Sequence, residues 1–127
     1  MLKLTFAVLA GTMLGVGATQ MLQAQAKSPA FLISDITVTN PDAFKAWGER
    51  ISPTFAQFGG KYLARGGQTM KVTGSTADEP PKRAVVVMFE SLDKAKAWDE
   101  SDVVKAARAI DRGATFRSYV VEGLPAQ

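Results

Sequence analysis

Apolar residues recur along the chain with two different spacings, and together these predict four strands and two helices. Residues 30–38 (AFLISDITV) alternate between two mostly apolar faces, and residues 83–89 (RAVVVMF) form an apolar, β-branched run. Both patterns are typical of strands that are covered on their two faces. Weaker strand patterns occupy residues 61–65 (KYLAR) and 114–122 (ATFRSYVVE).

The first helix is predicted from its end signals and from one apolar stripe. Asn40 is a suitable N-cap, Pro41 fits the first helical position, and Gly59 is a suitable C-terminal cap. Between them, large apolar residues recur at spacings of three and four, namely Phe44, Trp47, Ile51, Phe55 and Phe58. Pro53 lies within this stripe and has no backbone N–H, so we expect it to kink or split the helix.

The second helix is predicted to begin after Ser91 and to bend or restart at Ser101-Asp102, where a second capping pair interrupts it. Its apolar stripe, which includes Trp98, continues toward Gly113. Trp47 and Trp98 both occur at helical spacing among apolar residues, so we interpret both as core residues.

Two glycine pairs surround the second strand in the segment GGKYLARGGQ, residues 59–68. A phosphate-binding loop places its glycines between a strand and a helix. Here residues 68–73 (QTMKVT) have a strand-like pattern instead, and residues 74–82 are rich in Pro and small polar residues, as in loops. We therefore interpret the glycines as turn residues and predict a hairpin-like strand extension over residues 68–73.

The order strand, helix, strand, strand, helix, strand indicates an α+β domain with the ferredoxin-like split βαβ fold. It predicts an antiparallel sheet with two helices on one face. The opposite face would still carry large apolar side chains, and an exposed apolar surface of that kind requires a partner. We therefore predict a homodimer in which two sheets pack face to face about a twofold axis and enclose a small dimeric α/β barrel.

The first 26 residues differ from the rest of the chain. They contain one base, Lys3, no acid, an apolar run over residues 4–16 and the final segment Ala24-Gln25-Ala26. This pattern is typical of a secretory signal peptide, and the apolar run is shorter than the roughly 20 residues that a membrane anchor needs. We predict cleavage after Ala26, a single mature domain over residues 27–127, a periplasmic or secreted location, and no stable membrane insertion after cleavage.

Composition excludes several kinds of site. The chain has no Cys and no His. This excludes a structural zinc site, a Ser-His-Asp triad or Cys-His dyad for catalysis, and a haem with a proximal His. It has no Walker or dinucleotide-binding motif. We therefore predict no metal and no cofactor. The formal net charge is +3, but the bases are scattered, so a nucleic-acid partner is not expected.

Five polar residues on the predicted strands are candidates for chemistry. Asp35 lies mid-strand among apolar neighbours and is a candidate general base, although an ion pair or a backbone contact would also explain it. Tyr62 is a candidate hydrogen-bond donor in catalysis. Arg65, Arg117 and Tyr119 are candidates for substrate binding. The two guanidinium groups would bind a carboxylate well, and the Tyr119 hydroxyl would donate a hydrogen bond to a carbonyl group. Contacts across the dimer interface would equally explain the Tyr and Arg residues.

Four segments resemble the domain-of-unknown-function family 1330, whose members are small proteins of the dimeric α/β-barrel superfamily. The segments are FLISDITVTNPDAF, GGKYLARGG, RAVVVMFESLDKAKAW and YVVEG, within residues 31–123. The resemblance implies the same fold and dimer, and it implies no particular reaction. The chain departs from the family pattern at Met88, where an acid is frequent, and after Trp98, where tyrosines are frequent.

Two hypotheses follow for function. In the first, the protein is a binder of a small ligand or a cofactor-independent enzyme. Its pocket lies between the helices and the sheet, and Asp35, Arg65 and Tyr62 lie together in it. In the second, the protein is a non-catalytic dimer, and the same strand residues only build the interface.

Overall fold

The computed structural model describes residues 28–76 and 79–125. The predicted signal peptide and its cleavage site after Ala26 lie outside these residues and stay predictions. The described chain forms four strands and three helices in the order β1 (Ala30–Val38), α1 (Pro41–Gln57), β2 (Lys61–Arg65), β3 (Arg83–Phe89), α2 (Leu92–Glu100), α3 (Asp102–Arg108) and β4 (Ala114–Glu122).

The four strands form one antiparallel sheet with the order β2-β3-β1-β4. The two central strands are therefore β1 and β3, the most apolar of the four. Side chains alternate across the sheet, so Leu32, Ser34 and Ile36 of β1 are buried on one face, toward the helices. This arrangement confirms the predicted α+β class and ferredoxin-like fold.

Helix α1 has the predicted end structures. The Asn40 side chain accepts a hydrogen bond from the Ala43 N–H at 3.3 Å. At the other end, Gly59 has a φ of 74°, and the N–H groups of Gly59 and Gly60 donate to the carbonyls of Ala56 and Phe55. This pair of bonds is the Schellman motif, which requires a left-handed residue where a side chain would be strained.

Two details of the helices differ from the prediction. Helix α1 continues through Pro53 as one 17-residue helix, so the proline does not split it. The predicted restart at Ser101 is confirmed, but α3 ends at Arg108, well before Gly113. The Ser101 hydroxyl donates to the Trp98 carbonyl at 2.7 Å, and so it ends α2 and makes no side-chain bond to the start of α3.

The predicted strand extension over residues 68–73 is wrong, because β3 does not reach far enough along the sheet to pair with it. Arg65 pairs with Val85, and β3 begins at Arg83. Residues 68–73 would therefore have to pair with the loop before β3. They instead form an exposed segment in which Met70 is 80% exposed, and the Thr69 hydroxyl fixes it to the Pro81 carbonyl at 2.8 Å.

The core lies between the helices and the sheet, and large side chains from both layers fill it. Phe89 and Val87 of β3 are fully buried, as is Val104 of α3. Trp98 of α2 stacks on Phe55 of α1 with ring centroids 5.0 Å apart. Within the described part of the chain, no helix is both long and apolar enough to cross a membrane.

Candidate functional site

A cavity of about 330 Å³ lies between the helix layer and the sheet. All four strands and all three helices contribute to its walls. Nearly half of the lining residues have apolar side chains, namely Leu32, Ile36, Phe44, Trp47, Ile51, Phe55, Val85, Ala95, Trp98, Phe116 and Val120. Its volume is at the lower end of the range for small-molecule sites in proteins, so it fits a ligand of one or two rings.

Small residues of α1 help to open this cavity. Gly48 and Ser52 lie four residues apart, among larger residues that also line it. A Cβ atom at Gly48 would meet no atom within 4 Å outside its own helix. The helix therefore presents large side chains on either side of a gap, and the gap forms part of the cavity wall.

Aromatic rings form a continuous group at one end of the cavity. Trp47 contacts both Phe44 and Phe116, with ring centroids 5.8 Å and 4.9 Å away respectively. Phe44 and Phe116 are themselves 6.5 Å apart. These spacings are those of favourable aromatic pairs, so the rings provide a firm apolar surface on which a ring-containing ligand can pack.

Four arginines surround the cavity, and each places its guanidinium over an aromatic ring. The distances from Cζ to the ring centroid are 4.6 Å for Arg65 over Tyr62, 5.0 Å for Arg83 over Phe44, 5.3 Å for Arg108 over Trp98, and 4.5 Å for Arg112 over Phe116. Such stacking favours a fixed guanidinium position and leaves its edge free to donate hydrogen bonds.

One of these arginines has a carboxylate partner. Arg108 Nη2 lies 2.6 Å from Asp99 Oδ1, and this is the one ion pair in residues 28–76 and 79–125. Arg65, Arg83 and Arg112 have no ion pair there. The cavity therefore has a positive charge excess that residues of the described chain do not neutralise.

Tyr62 and Arg65 lie together at the cavity, although alternation along a regular strand would place them on opposite faces. A β-bulge between Tyr62 and Ala64 shifts the register by one residue and brings both side chains to the helix side. The Tyr62 and Ser52 hydroxyls are 2.8 Å apart, and Arg65 Nη2 donates to the Ser52 hydroxyl at 3.4 Å. These three residues form a hydrogen-bonded polar group, which we call the Ser52 group.

Two buried donors at the cavity have no partner. The indole Nε1 of Trp47 and the guanidinium Nε of Arg83 are both inaccessible to solvent and make no hydrogen bond in the chain as described. Both residues contact the Phe44 ring, so the two donors belong to the same end of the cavity. Buried polar groups in proteins nearly always have partners, so these two donors are exceptions within the described residues, and neither has surface that a ligand in the cavity could contact.

Gly66 makes room for the Arg83 side chain. Its φ is 69°, and a Cβ atom there would lie 2.6 Å from Arg83 Nη1. The glycine therefore both ends β2 and allows the guanidinium to approach the backbone. This confirms the interpretation of the glycine pair as a turn, and adds a role in placing a cavity arginine.

The hypothesis that Asp35 shares a pocket with Arg65 and Tyr62 is wrong. Asp35 alternates with the buried Ser34 and Ile36, and so it lies on the open face of the sheet, away from the helices. It pairs in register with Arg117 of β4, without an ion pair in the described residues. Arg117 is therefore also on the open face, because adjacent paired residues share a face.

Tyr119 has an intermediate position. It is part of the cavity lining at the edge of the sheet, but it pairs with Ile33 of the open face and is 52% exposed. Of the five residues singled out from the sequence, Tyr62 and Arg65 therefore line the site on its helix side, Tyr62 partly buried and Arg65 exposed. Residues 28–76 and 79–125 contain no group of three or more His, Cys, Asp or Glu side chains that could hold a metal ion.

The family model for DUF1330, a domain of unknown function, matches residues 29–124. The chain belongs to this family. The structure of RPA0582, a protein of unknown function from Rhodopseudomonas palustris, matches the DUF1330 chain with a TM-score of 0.62 and 16% identity, over 85% of this chain and 92% of that one. Methylated RPA0582 matches with a TM-score of 0.59 and 17% identity, over 85% and 90%.

A third similar structure is that of SnoaB, a cofactor-independent oxygenase from Streptomyces nogalater. It has a TM-score of 0.48 and 13% identity, over 78% of this chain and 96% of that one. No curated protein matches the chain. At these identities the similarity to RPA0582 supports the fold of the DUF1330 chain and no specific activity.

Sequence reasoning misses Trp47, Arg83, Arg112 and Ser52 as site residues. The apolar stripe of α1 predicts a core position for Trp47, which is correct for its ring but not for its N–H. One signal is present in the sequence: Gly48 and Ser52 interrupt an apolar helical face at a spacing of four. Small residues at neighbouring positions on a buried face leave space that larger side chains would fill.

Gly66 generates a stability prediction, because its neighbour Gly67 provides a matched control. We expect Gly66→Ala to lower the free energy of unfolding by about 1–2 kcal/mol, since alanine is strained at positive φ, and to displace Arg83. Gly67→Ala should be nearly neutral, because a Cβ there would meet no atom within 4 Å and its φ is not in the left-handed range. Urea denaturation measures both, and equal effects would contradict the assignment.

Proposed function

We propose that this protein binds a small organic anion with an aromatic body in the cavity between its helices and its sheet. The observation that carries the proposal is the combination of aromatic walls with Arg65, Arg83 and Arg112, which have no ion pair in the described residues. Stacked guanidinium groups at an apolar cavity recognise carboxylates and similar planar anions. An uncharged ligand would leave this charge uncompensated.

Binding is a better match to this site than general base catalysis. Asp35, the base suggested by the sequence, lies on the opposite face of the sheet. The cavity lining contains one carboxylate, that of Asp99. It forms an ion pair with Arg108, whose Nη2 lies 2.6 Å from Asp99 Oδ1. A general base must be within hydrogen-bond reach of the proton it removes, and the cavity provides no free carboxylate or imidazole for that role.

The proposal is tested by the thermal stability of the protein with matched ligands. Benzoate and naphthoate should raise the melting temperature, because a ligand that binds only the folded state stabilises it. Benzamide and naphthamide, which have the same rings without the charge, should raise it much less. If no aromatic acid, phenol or related anion shifts the melting temperature at millimolar concentration, the proposal is wrong.

Gly48→Leu is the blocking variant for this test. Leucine is a better helix former than glycine by almost 1 kcal/mol, and a Cβ atom at position 48 would meet no atom within 4 Å. The variant should therefore fold at least as well as the original protein. It should also lose most of the shift caused by naphthoate, since its side chain would occupy the ligand's space.

We further propose that two copies of the chain pack their open sheet faces together. This face carries Phe31, Ile33, Val86 and Met88, which no helix covers, and Val121, which is 44% exposed. Such an apolar face is costly in water and is commonly buried in a symmetric interface. The charged residues Asp35 and Arg117, which are opposite each other in the β1–β4 register, lie on the same face.

Sedimentation of the mature chain tests the dimer. We expect a dimer at micromolar concentration and a folded monomer for Val121→Lys, because a buried lysine without a partner opposes association. Leu124→Lys is the control, since Leu124 is 83% exposed and lies after the last strand. A folded monomer of the unaltered protein at micromolar concentration would overturn this proposal without affecting the ligand site.

We also propose, from the sequence pattern of residues 1–26, that the chain is exported and cleaved after Ala26. The mass of the protein recovered from the periplasm or the medium should correspond to residues 27–127. Leu9→Arg should retain the full-length chain in the cell, because it places a charge in the apolar run. If wild-type cells yield only the unprocessed chain, the proposal is wrong.

A further inference from the structure

The Ser52 group is a set of polar side chains that short contacts hold together at the cavity. The Tyr62 and Ser52 hydroxyls are 2.8 Å apart, and Arg65 Nη2 donates to the Ser52 hydroxyl at 3.4 Å. The Arg65 Cζ also lies 4.6 Å from the centre of the Tyr62 ring. All three residues line the cavity, where Arg65 is exposed and the other two are half-buried. The group therefore has surface that a ligand can contact.

The Ser52 group has more hydrogen-bond donors than the described residues use. Ser52 and Tyr62 share a single hydrogen bond, and each hydroxyl carries one hydrogen, so whichever of them donates, the other keeps a hydrogen without a partner there. The Arg65 guanidinium has five N–H groups. Within residues 28–76 and 79–125 it makes the 3.4 Å bond to Ser52 and has no ion pair. One O–H and several N–H donors are thus open to an acceptor from outside the chain.

The gap in α1 at Gly48 lies one helical turn from the Ser52 group. Residues four positions apart on a helix are neighbours, with about 5–6 Å between their Cβ atoms, and both Gly48 and Ser52 line the cavity. A Cβ atom at Gly48 would meet no atom within 4 Å. A ligand whose acid group contacts the Ser52 group therefore has room for a flat ring immediately beside that acid group.

We infer that the Ser52 group is the acid-binding subsite of the cavity, and that it takes a carboxylate attached directly to an aromatic ring. The carboxylate accepts from the Arg65 guanidinium and from the open hydroxyl of Ser52 or Tyr62, and its ring lies beside Gly48. This inference rests on the proposed function. An ionised carboxylate has two oxygens that only accept, so it can use both kinds of donor at once. Hydrogen bonds to an ionised acceptor are about twice as strong as neutral ones.

Titration calorimetry with naphthoate and naphthamide tests the role of Arg65. Arg65→Met should weaken naphthoate binding by about tenfold or more, as expected for lost hydrogen bonds to a charged group, and naphthamide binding by less than about threefold. Arg65→Lys should recover part of the naphthoate affinity, because it restores the charge without the planar fork. Arg50→Met is the matched control, since Arg50 is an exposed residue of α1 that does not line the cavity. It should change naphthoate affinity by less than about twofold.

A double variant tests the hydroxyl donor. Ser52→Ala and Tyr62→Phe each leave one hydroxyl whose hydrogen is open, whereas the combined variant removes both. The combined variant should therefore weaken naphthoate binding about tenfold, and each single variant should weaken it less. Replacing both partners of a hydrogen bond by apolar groups is nearly neutral for stability, so the combined variant should fold. If it binds naphthoate as tightly as the unaltered protein does, the hydroxyls do not contact the acid group and the inference is wrong.

The outcomes separate this inference from the proposed function. If naphthoate binds but Arg65→Met keeps the full preference for acid over amide, while Arg112→Met removes it, the acid group lies at the Phe116 end of the cavity. The inference is then wrong and the proposed function stands. If the unaltered protein binds no aromatic acid, both are overturned.

Discussion

The hydrogen bond from the Trp98 indole to the Thr54 hydroxyl is the interaction on which the helix layer depends. It joins α2 to α1 inside the core, at 2.9 Å, and the Thr54 hydroxyl in turn donates to the Ile51 carbonyl at 2.5 Å. Every polar atom in this short chain of bonds has a partner, so the network is stabilising and specifies one arrangement of the helices. The stacking of Trp98 on Phe55 adds apolar contact at the same point.

Trp47 shows what the same side chain does without such a partner. Its ring packs among Phe44 and Phe116, but its N–H has no acceptor in the described residues. The two tryptophans thus divide the helix layer into a closed half, in which the polar groups are satisfied internally, and an open half that contains vacant donors. Because the Trp98 network joins α1 to α2, the cavity that both tryptophans line can remain open without collapse of the fold.

Much of the fold can be predicted because each strand and helix has a strong local pattern. Alternation and apolar runs predict β1, β3 and β4, and Asn40, Pro41 and Gly59 predict the ends of α1. The prediction of an extension over residues 68–73 is wrong because a strand-like composition says nothing about whether a neighbour is available. That depends on where β3 begins, which is a property of the register.

The site is less predictable for the same reason. Assigning Asp35, Tyr62 and Arg65 to one pocket requires knowledge of which face each side chain occupies. Asp35 follows regular alternation to the open face, whereas the bulge after Tyr62 reverses the face of Arg65. A bulge leaves little trace in a single sequence, and an unpartnered indole leaves none, because its partners are set by three-dimensional packing.

The bulge in β2 also affects how copies of the chain can meet. β2 is a five-residue edge strand, and its backbone would otherwise offer a row of free hydrogen-bonding groups to any passing strand. An irregular register, a short length and the cationic residues Lys61 and Arg65 all oppose such pairing. The protein thereby discourages edge-to-edge growth into extended sheets and amyloid-like stacks on this side, which matters for a chain that has no disulfide to restrain it.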